Sequence, residues 1–327
     1  MNQNKYRIAV VYLLFSVMNA AAAHTLAALM PEEGKFLIVI DEMRKQAGGD
    51  YRFHIIDMNK PLTIENITQQ CTANKVQAMI LMDTKAIKTA MELEKFDSAF
   101  KAVPKFALMT LMVESTSRGL SNIAGIEFEV PIYTVVINFR IISQKDITKV
   151  GIFYRKSFAG VIEESKKFLG REGIKICPVC IDCAGKKKVK PNDALKTMNA
   201  SFVKMIKDEK IDVFLLPADN LIVNSRSLVT FWIKKVKKTN LPIIAPLDML
   251  ASEKIGAAVF AADPDLPQLG AQAVGQILDH FENNITMDEI GFEPTISIKS
   301  TLNMRVAREI GWKLRNDKLG RITTIIK

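Results

Sequence analysis

The stretches KVQAMILMD, Lys75 to Asp83, and KIDVFLLPAD, Lys210 to Asp219, decide how this chain is read. Lys75-Val76-Gln77-Ala78-Met79-Ile80-Leu81 matches Lys210-Ile211-Asp212-Val213-Phe214-Leu215-Leu216 in residue type. Further along, Val103-Pro104-Lys105-Phe106-Ala107 matches Leu241-Pro242-Ile243-Ile244-Ala245. Lys75 and Lys210 stand 135 positions apart, Pro104 and Pro242 stand 138 apart, and the matches keep their order. A nearly constant offset favours a duplicated α/β domain.

Outward from these runs, strand-like segments alternate with amphipathic helical ones. TLAALMP is followed by GKFLIVIDEMRKQ, YRFHIIDM, a helix near residues 63 to 74, and AMILMD. The later chain repeats the scheme with KVGIFY, a helix from about Gly160 to Arg171, KICPVCI, a helix from about Asn192 to Asp208, and DVFLLPAD. Such alternation predicts parallel strands joined by crossover helices. The expected fold is therefore α/β with two similar lobes, each a parallel sheet flanked by helices, and a ligand cleft between them. A chain of 327 residues is long enough for two domains with separate cores, and 48% hydrophobic with 24% charged residues is the composition of a folded soluble protein.

The first residues, MNQNKYRIAVVYLLFSVMNAAAAHT, place Lys5 and Arg7 ahead of an apolar run from Ile8 to Met18, then small residues with Ala21-x-Ala23 as an A-x-A site. This is the layout of a secretory signal peptide over residues 1–23. The apolar run is too short for a permanent anchor, which needs about 20 residues. The competing reading takes Ile8 to Leu14 as the first core strand of a cytoplasmic protein, but HTLAALMPE already supplies a strand. The mature chain is expected in the periplasm. Losing Lys5 and Arg7 lowers the formal charge from +10 to +8. The basic clusters Lys186 to Lys190 and Lys234 to Lys238 read as solvated faces, since a nucleic-acid surface needs a continuous basic face with base-reading groups.

In open parallel sheets, ligands sit beyond the carboxyl ends of the strands. That rule selects Pro31 and Glu32, Asp83 and Thr84, Thr110 with Glu114 and Ser115, Tyr154 to Ser157, Asp219 and Asn220, and Asp248. For any one of these, helix capping competes with ligand contact.

At these strand ends, in the order MILMDTKAIKTA, VPKFALMT, RGLSNIAGIEFEVPIY, KVGIFYRKSFAG, VFLLPADNLIVNSRS, LPIIAPLDM, GAAVFAADPDLPQLGAQAVGQIL and ISIKSTLNMRVAREIGW, the chain resembles the ABC transporter substrate-binding protein family that includes tryptophan- and tyrosine-binding members. The likeness covers roughly residues 65 to 315 and lies in the order and spacing of the pieces. It implies a two-lobed periplasmic protein, a monomer, that closes around a small molecule and delivers it to an ABC permease. Chain crossings near Gly125, near Asp248 and near residues 286 to 295 would make lobe 1 residues 24–124 plus 252–285 and lobe 2 residues 125–251 plus 286–327. The resemblance places a helix-capping Thr at Thr84, a ligand-side loop at Thr110 to Ser115, an Asp-Asn pair at Asp219 and Asn220, and an acid at Asp248. In amino-acid-binding members such hydroxyls and strand-end N–H groups hold the carboxylate, while acids hold the ammonium.

The chain departs from the family at several points. A small Gly or Ser is usual where Asp83 stands, and a small polar residue where Arg155 and Lys156 stand. The loop LMTLMVES is rich in Met and Leu. Its methionines either shape an apolar pocket, for a ligand more apolar than an amino acid, or belong to the core.

Enzyme signatures are missing from the sequence: His24, His54 and His280 have no metal-binding spacing, and there is no GxSxG, GxxxxGK[ST] or GxGxxG. Asp263 and Asp265 lie in AADPDLPQLG, which reads as a turn entering a helix. No catalytic residue, metal site or cofactor is expected. A sugar-responsive repressor would carry a helix-turn-helix where the signal-like segment stands. A periplasmic sensing subunit of a signalling receptor remains the alternative to the importer.

CPVCIDC, residues 177 to 183, has the spacing that opens an iron–sulfur cluster motif but lacks a fourth cysteine nearby. Cys71, the other cysteine, is expected on a helix of the other lobe. Strand alternation sends Cys177 and Cys180 to opposite faces, and Pro178 argues for an edge strand or a bulge. The triad is read as structural, as a disulfide with Cys180 and Cys183 the leading pair, or as metal- or redox-active. The cleft residues expected overall are Pro31, Glu32, Thr84, Ser115, Tyr154, Ser157, Asp219, Asn220 and Asp248, with the ligand amino-acid-like or more apolar.

Overall fold

The computed structural model describes residues 23–183 and 189–327. All but the last residue of the expected signal peptide, and Lys186 to Lys188 of the first basic cluster, lie outside the described residues. The chain divides into two α/β units, one running through Phe128 and taking in Leu266–Ile296, the other Glu129–Asp265 with Ser297–Lys327.

In the first unit the strands β1 (His24–Met30), β2 (Tyr51–Asp57), β3 (Ala78–Met82), β4 (Lys105–Leu108), β5 (Ile123–Glu127) and β11 (Phe292–Pro294) form one sheet. Their order is β11-β5-β4-β3-β1-β2, and every pairing is parallel. β3 is buried at every residue, as a parallel strand covered by helices on both faces must be. The helix Gly34–Ala47 buries Phe36, Val39, Ile40, Met43 and Ala47, the stripe that its period of 3.6 brings to one side.

The second unit contains β6 (Lys149–Tyr154), β7 (Lys175–Cys180), β8 (Val213–Leu215), β9 (Ile243–Ala245), β10 (Phe260–Pro264), β12 (Ile298–Asn303) and β13 (Thr324–Ile326). Their order is β13-β12-β10-β9-β8-β6-β7. The series β2-β1-β3-β4-β5 of the first sheet thus corresponds to β7-β6-β8-β9-β10 of the second, and the duplication expected from the two opening stretches is a duplication of topology. The matched lysines behave alike: Lys75 (φ 50°) and Lys210 (φ 53°) are both left-handed, where a helix stops and the next strand begins. The sheets part company at one side, because β11 runs parallel to β5 whereas β12 runs antiparallel to β10 and adds β13.

The unit boundaries differ from those expected, and strand pairing explains each shift. The first crossing falls after Phe128 rather than after 124, because β5 completes its pairing in the first sheet. The second falls after Asp265 rather than after 251, because β10 pairs with β9 and β12 of the second sheet. The third falls after Ile296 rather than after 285, because β11 joins β5. AADPDLPQLG also contains the end of β10, and its helix begins at Leu266.

Local chemistry supports these assignments. Pro178 sits in β7, an edge strand where its missing N–H costs no sheet bond. At Gly125 an added Cβ would stand 2.3 Å from the Ala107 carbonyl oxygen, so β4 and the chain at Gly125 approach as only glycine allows. Lys105, fully buried at the start of β4, pairs with Glu94 at 2.9 Å and donates to the Phe100 and Val103 carbonyls at 2.6 and 2.8 Å. Burial pulls its pKa down, and Glu94 opposes that pull. Phe231 and Trp232 are fully buried on a π-helical segment, Leu228–Val236, while Lys234, Lys235 and Lys238 face solvent. No described helix is long and apolar enough to cross a membrane.

Candidate functional site

In each sheet the parallel strands bring their carboxyl ends to one edge, and the loops leaving that edge carry the polar side chains selected above. In the first unit β1 ends at Met30 and the chain turns at the buried Pro31, whose carbonyl accepts the Glu33 N–H at 2.8 Å. Glu32 is exposed, and its N–H donates to Asp57 Oδ1 at 3.1 Å from the end of β2. The Asn59 N–H donates to the same oxygen at 3.0 Å. These two N–H groups, that of Asn59 foremost, hold the Asp57 carboxyl below the usual carboxylate range.

After β3 the helix Thr84–Phe96 begins with Thr84 exposed. Its cap is Asp83, whose Oδ1 accepts the Ala86 N–H at 2.8 Å, so the capping role expected of Thr84 belongs to the residue before it. Asp83 adopts φ 109° and ψ 170°, a region open in practice to glycine alone, at a strain of about 1–3 kcal/mol. The small residue expected there by family likeness is absent, but the backbone geometry it would permit is kept. After β4, Met109 and Met112 are both left-handed; Met109 is buried in the core and Met112 is partly exposed. Thr110 is buried, with its hydroxyl donating to the Leu108 carbonyl, while Ser115 is exposed and donates to the Met112 carbonyl at 3.0 Å.

In the second unit β6 ends at the half-buried Tyr154 and runs into Arg155, Lys156 and the exposed Ser157. The Lys156 N–H donates to Asp182 Oδ1 at 2.6 Å, just beyond β7. This resembles the first unit's arrangement, in which the loop after β1 is tied to Asp57, the last residue of β2. Asp219, past β8, is 4% exposed; one oxygen accepts Arg155 Nε at 2.5 Å and the other accepts the Leu221 N–H at 2.8 Å. Asn220 and Asp248 are exposed, Asp248 opening a short turn after β9.

CPVCIDC lies on this same edge, because Tyr154 and Cys180 pair across β6 and β7. Cys180 and Cys183 are joined by a disulfide with Cα atoms 5.6 Å apart. Cys177 stays a thiol, buried and raised in pKa by burial and then by the nearby Glu209 carboxylate. Cys71 is buried on the helix Ile64–Ala73, and burial pushes its thiol up to about 11. Donor atoms of Cys180, Asp182 and Cys183 lie within 4.8 Å of one another, but sulfurs in a disulfide are not the thiolates that bind a metal.

Within the first unit Pro31, Glu32, Thr84 and Ser115 thus leave β1, β3 and β4, which are neighbours. Within the second unit Tyr154, Ser157, Asp219, Asn220 and Asp248 leave β6, β8 and β9, also neighbours. Strand-end reading passed over Asp57 and Asp182. A signal was there to be found, since both edge strands run out through Ile-Asp, as Ile56-Asp57 and Ile181-Asp182. A cavity of about 420 Å³ in the second unit, lined in part by Arg140, Gln144, Thr148 and Arg315, lies at the opposite, amino end of β6.

Two α/β units whose parallel strands run in the same order give the chain a periplasmic-binding-protein-like fold. The sequence matches no family model and no curated protein. Among solved structures it is similar to a ligand-free, open substrate-binding protein with adhesive properties from Clostridium difficile, with a TM-score of 0.66, 13% identity, and 93% of this chain and 100% of that one covered. It is similar to an ABC domain in complex with L-Trp from Streptococcus pneumonia, at TM-score 0.57, 14% identity, and 93% and 100% coverage. A periplasmic ribose ABC transporter protein from Conexibacter woesei matches at TM-score 0.50, 13% identity, and 89% and 96% coverage.

Proposed function

We propose that this protein is the solute-binding component of an ABC importer, exported to the periplasm with residues 1–23 removed. It acts there as a non-catalytic monomer that hands a small molecule to a membrane permease. The ligand is amino-acid-like or a more apolar metabolite, taken by the carboxyl-end loops of both units. Pro31, Glu32, Thr84 and Ser115 serve from one, and Tyr154, Ser157, Asp219, Asn220 and Asp248 from the other. Hinge closure belongs to this reading, because a ligand that prefers the closed state stabilises it by its differential affinity.

The observation that carries this reading is the pair of matched carboxyl edges, in each of which the loop after the strand next to the edge is tied to an aspartate at the edge strand's carboxyl end, through Glu32 to Asp57 and through Lys156 to Asp182. The solved structures sharing the fold, reported with substrate-binding or ABC roles, support it. The test is a thermal-shift screen of the protein lacking residues 1–23 against amino acids, nucleosides, sugars, peptides and apolar carboxylic acids. A ligand that closes the protein raises its melting temperature by mass action. Turnover of a binding compound would instead favour an enzyme. Co-purification with a sensor domain rather than a permease would favour a signalling subunit.

A further inference from the structure

We propose that Arg155 is the group that holds a carboxylate of the ligand, with Asp219 as the residue that positions it, so that this protein selects organic acids. The inference rests on the solute-binding reading and names the substrate class of that same site.

Family likeness assigns Asp219 the part of an ammonium-holding acid, but its geometry is that of an occupied acceptor. The carboxylate is buried, one oxygen takes Arg155 Nε and the other takes the Leu221 N–H. With no exposure left to the Asp219 side chain, an ammonium reaches it only by displacing the arginine, which is already in place and always charged.

Arg155 is placed differently. Its side chain keeps 39% of its exposure while its Nε is anchored to Asp219. A guanidinium has five N–H donors in a rigid fork, so anchoring through Nε leaves the two terminal nitrogens to meet a planar oxyanion in bidentate fashion. Pairing with a buried carboxylate also fixes the direction of the fork, which lowers the ordering cost when the ligand arrives.

The surroundings fit an anion. Lys156 and Ser157 follow directly and are exposed. The helix Ala159–Arg171 follows directly on a 3-10 turn, Lys156–Phe158, whose Lys156 carbonyl accepts the Ala159 N–H, and it has no acid in its first turn to oppose an anion at its positive end. The equivalent loop of the first unit, after β1, carries Glu32 and Glu33 where this loop carries Arg155 and Lys156. Of the nearby acids, Asp182 is engaged by the Lys156 N–H, while Asp248 stands exposed beyond β9.

The experiment compares acids with their neutral amides on the protein lacking residues 1–23, by calorimetric titration and thermal shift. The probes are phenylacetate against phenylacetamide, hexanoate against hexanamide, and L-tryptophan against L-tryptophanamide, with ribose and adenosine as uncharged references. The acid of at least one pair should bind about 10- to 100-fold more tightly than its amide, the range expected for a charge-assisted bidentate contact. Arg155→Lys should keep part of that preference, because it retains charge without the fork. The paired variant Arg155→Gln with Asp219→Asn leaves no buried charge unpartnered, and it should abolish the preference while its urea midpoint stays near that of the parent. Amides binding as well as acids, or an acid preference that survives the paired variant, would overturn the proposal and leave the solute-binding reading standing, as would binding of ribose or adenosine alone. If no probe of any class binds, the solute-binding reading falls and the proposal falls with it.

Discussion

The loops after β1 and β6 occupy the same place in two sheets of the same order, yet one reads Pro31-Glu32-Glu33 and the other Arg155-Lys156-Ser157. Both are tied down by an N–H donated to an aspartate of the neighbouring edge strand's carboxyl end, Asp57 as the last residue of β2 and Asp182 two residues beyond β7. What the duplication conserved is a backbone clamp, and what it let vary is the charge that the clamp presents. A main-chain hydrogen bond does not depend on the side chain of its donor, so opposite charges can be mounted on one support.

A buried charge separates the units at the amino end of β4, where Lys105 of the first unit matches Ile243 of the second. Lys105→Ile alone strands Glu94 in the core and should cost about 3–5 kcal/mol in urea unfolding. Adding Glu94→Leu should recover most of the loss, because an apolar pair can replace a buried ion pair at little cost. A double variant as unstable as the single one would show that the lysine's bonds to the Phe100 and Val103 carbonyls, rather than the pair, sustain this end of the sheet.

The clamp of the second unit is reinforced by the Cys180–Cys183 disulfide, and that of the first is not. Chain entropy for so short a loop gives about 2 kcal/mol, so reductant should lower stability by that amount. Cys183→Ser should match the reduced protein and no longer respond to reductant. In the unfolded oxidised protein two of the four cysteines should titrate as thiols, Cys71 and Cys177, and all four after reduction.

A smaller effect separates the loops after β3 and β8. Asp83 is strained at φ 109°, whereas the chain from Leu216 to Asp219 reaches its aspartate without a positive φ. Asp83→Ala should lose about 1 kcal/mol, because the cap on Ala86 goes and the strained backbone stays. Asp83→Gly also loses the cap but relieves about 1–3 kcal/mol of strain, so it should be more stable than the alanine variant. The reverse order would mean that the backbone is not strained there.

The smallest effect is acid sensitivity at the first clamp. The Asp57 carboxyl sits below its ordinary value of 3.8 in the folded state, so its contribution is complete above that value and is lost as pH falls through the lowered one. Melting curves over about pH 2 to pH 6 should show a shallower acid limb for Asp57→Asn than for the parent. Equal limbs would remove Asp57 from the acid response.

Much of the fold was legible because a buried parallel strand must be apolar along its whole length, and AMILM and VFLL announce themselves that way. The duplicated order, the edge position of β7 and the main helices followed from local patterns of this kind. The unit boundaries did not, since whether Phe260–Pro264 belongs with β9 or with the first sheet depends on a pairing partner distant in sequence. The strand-end rule names polar residues at the carboxyl edges but not how each is occupied: the cap that family likeness put at Thr84 is Asp83, and Asp219 is paired with Arg155.

By itself, then, the sequence determined the elements, their alternation and the edge at which polar residues gather, because periodicity and turn chemistry act over a few neighbouring residues. Tertiary structure alone decided which charges were spent: Asp219 on Arg155, Asp57 on the loop after β1, and Asp182 on the loop after β6. A carboxylate's role depends on which donor stands within about 3 Å, and strand order rather than sequence distance sets that neighbour.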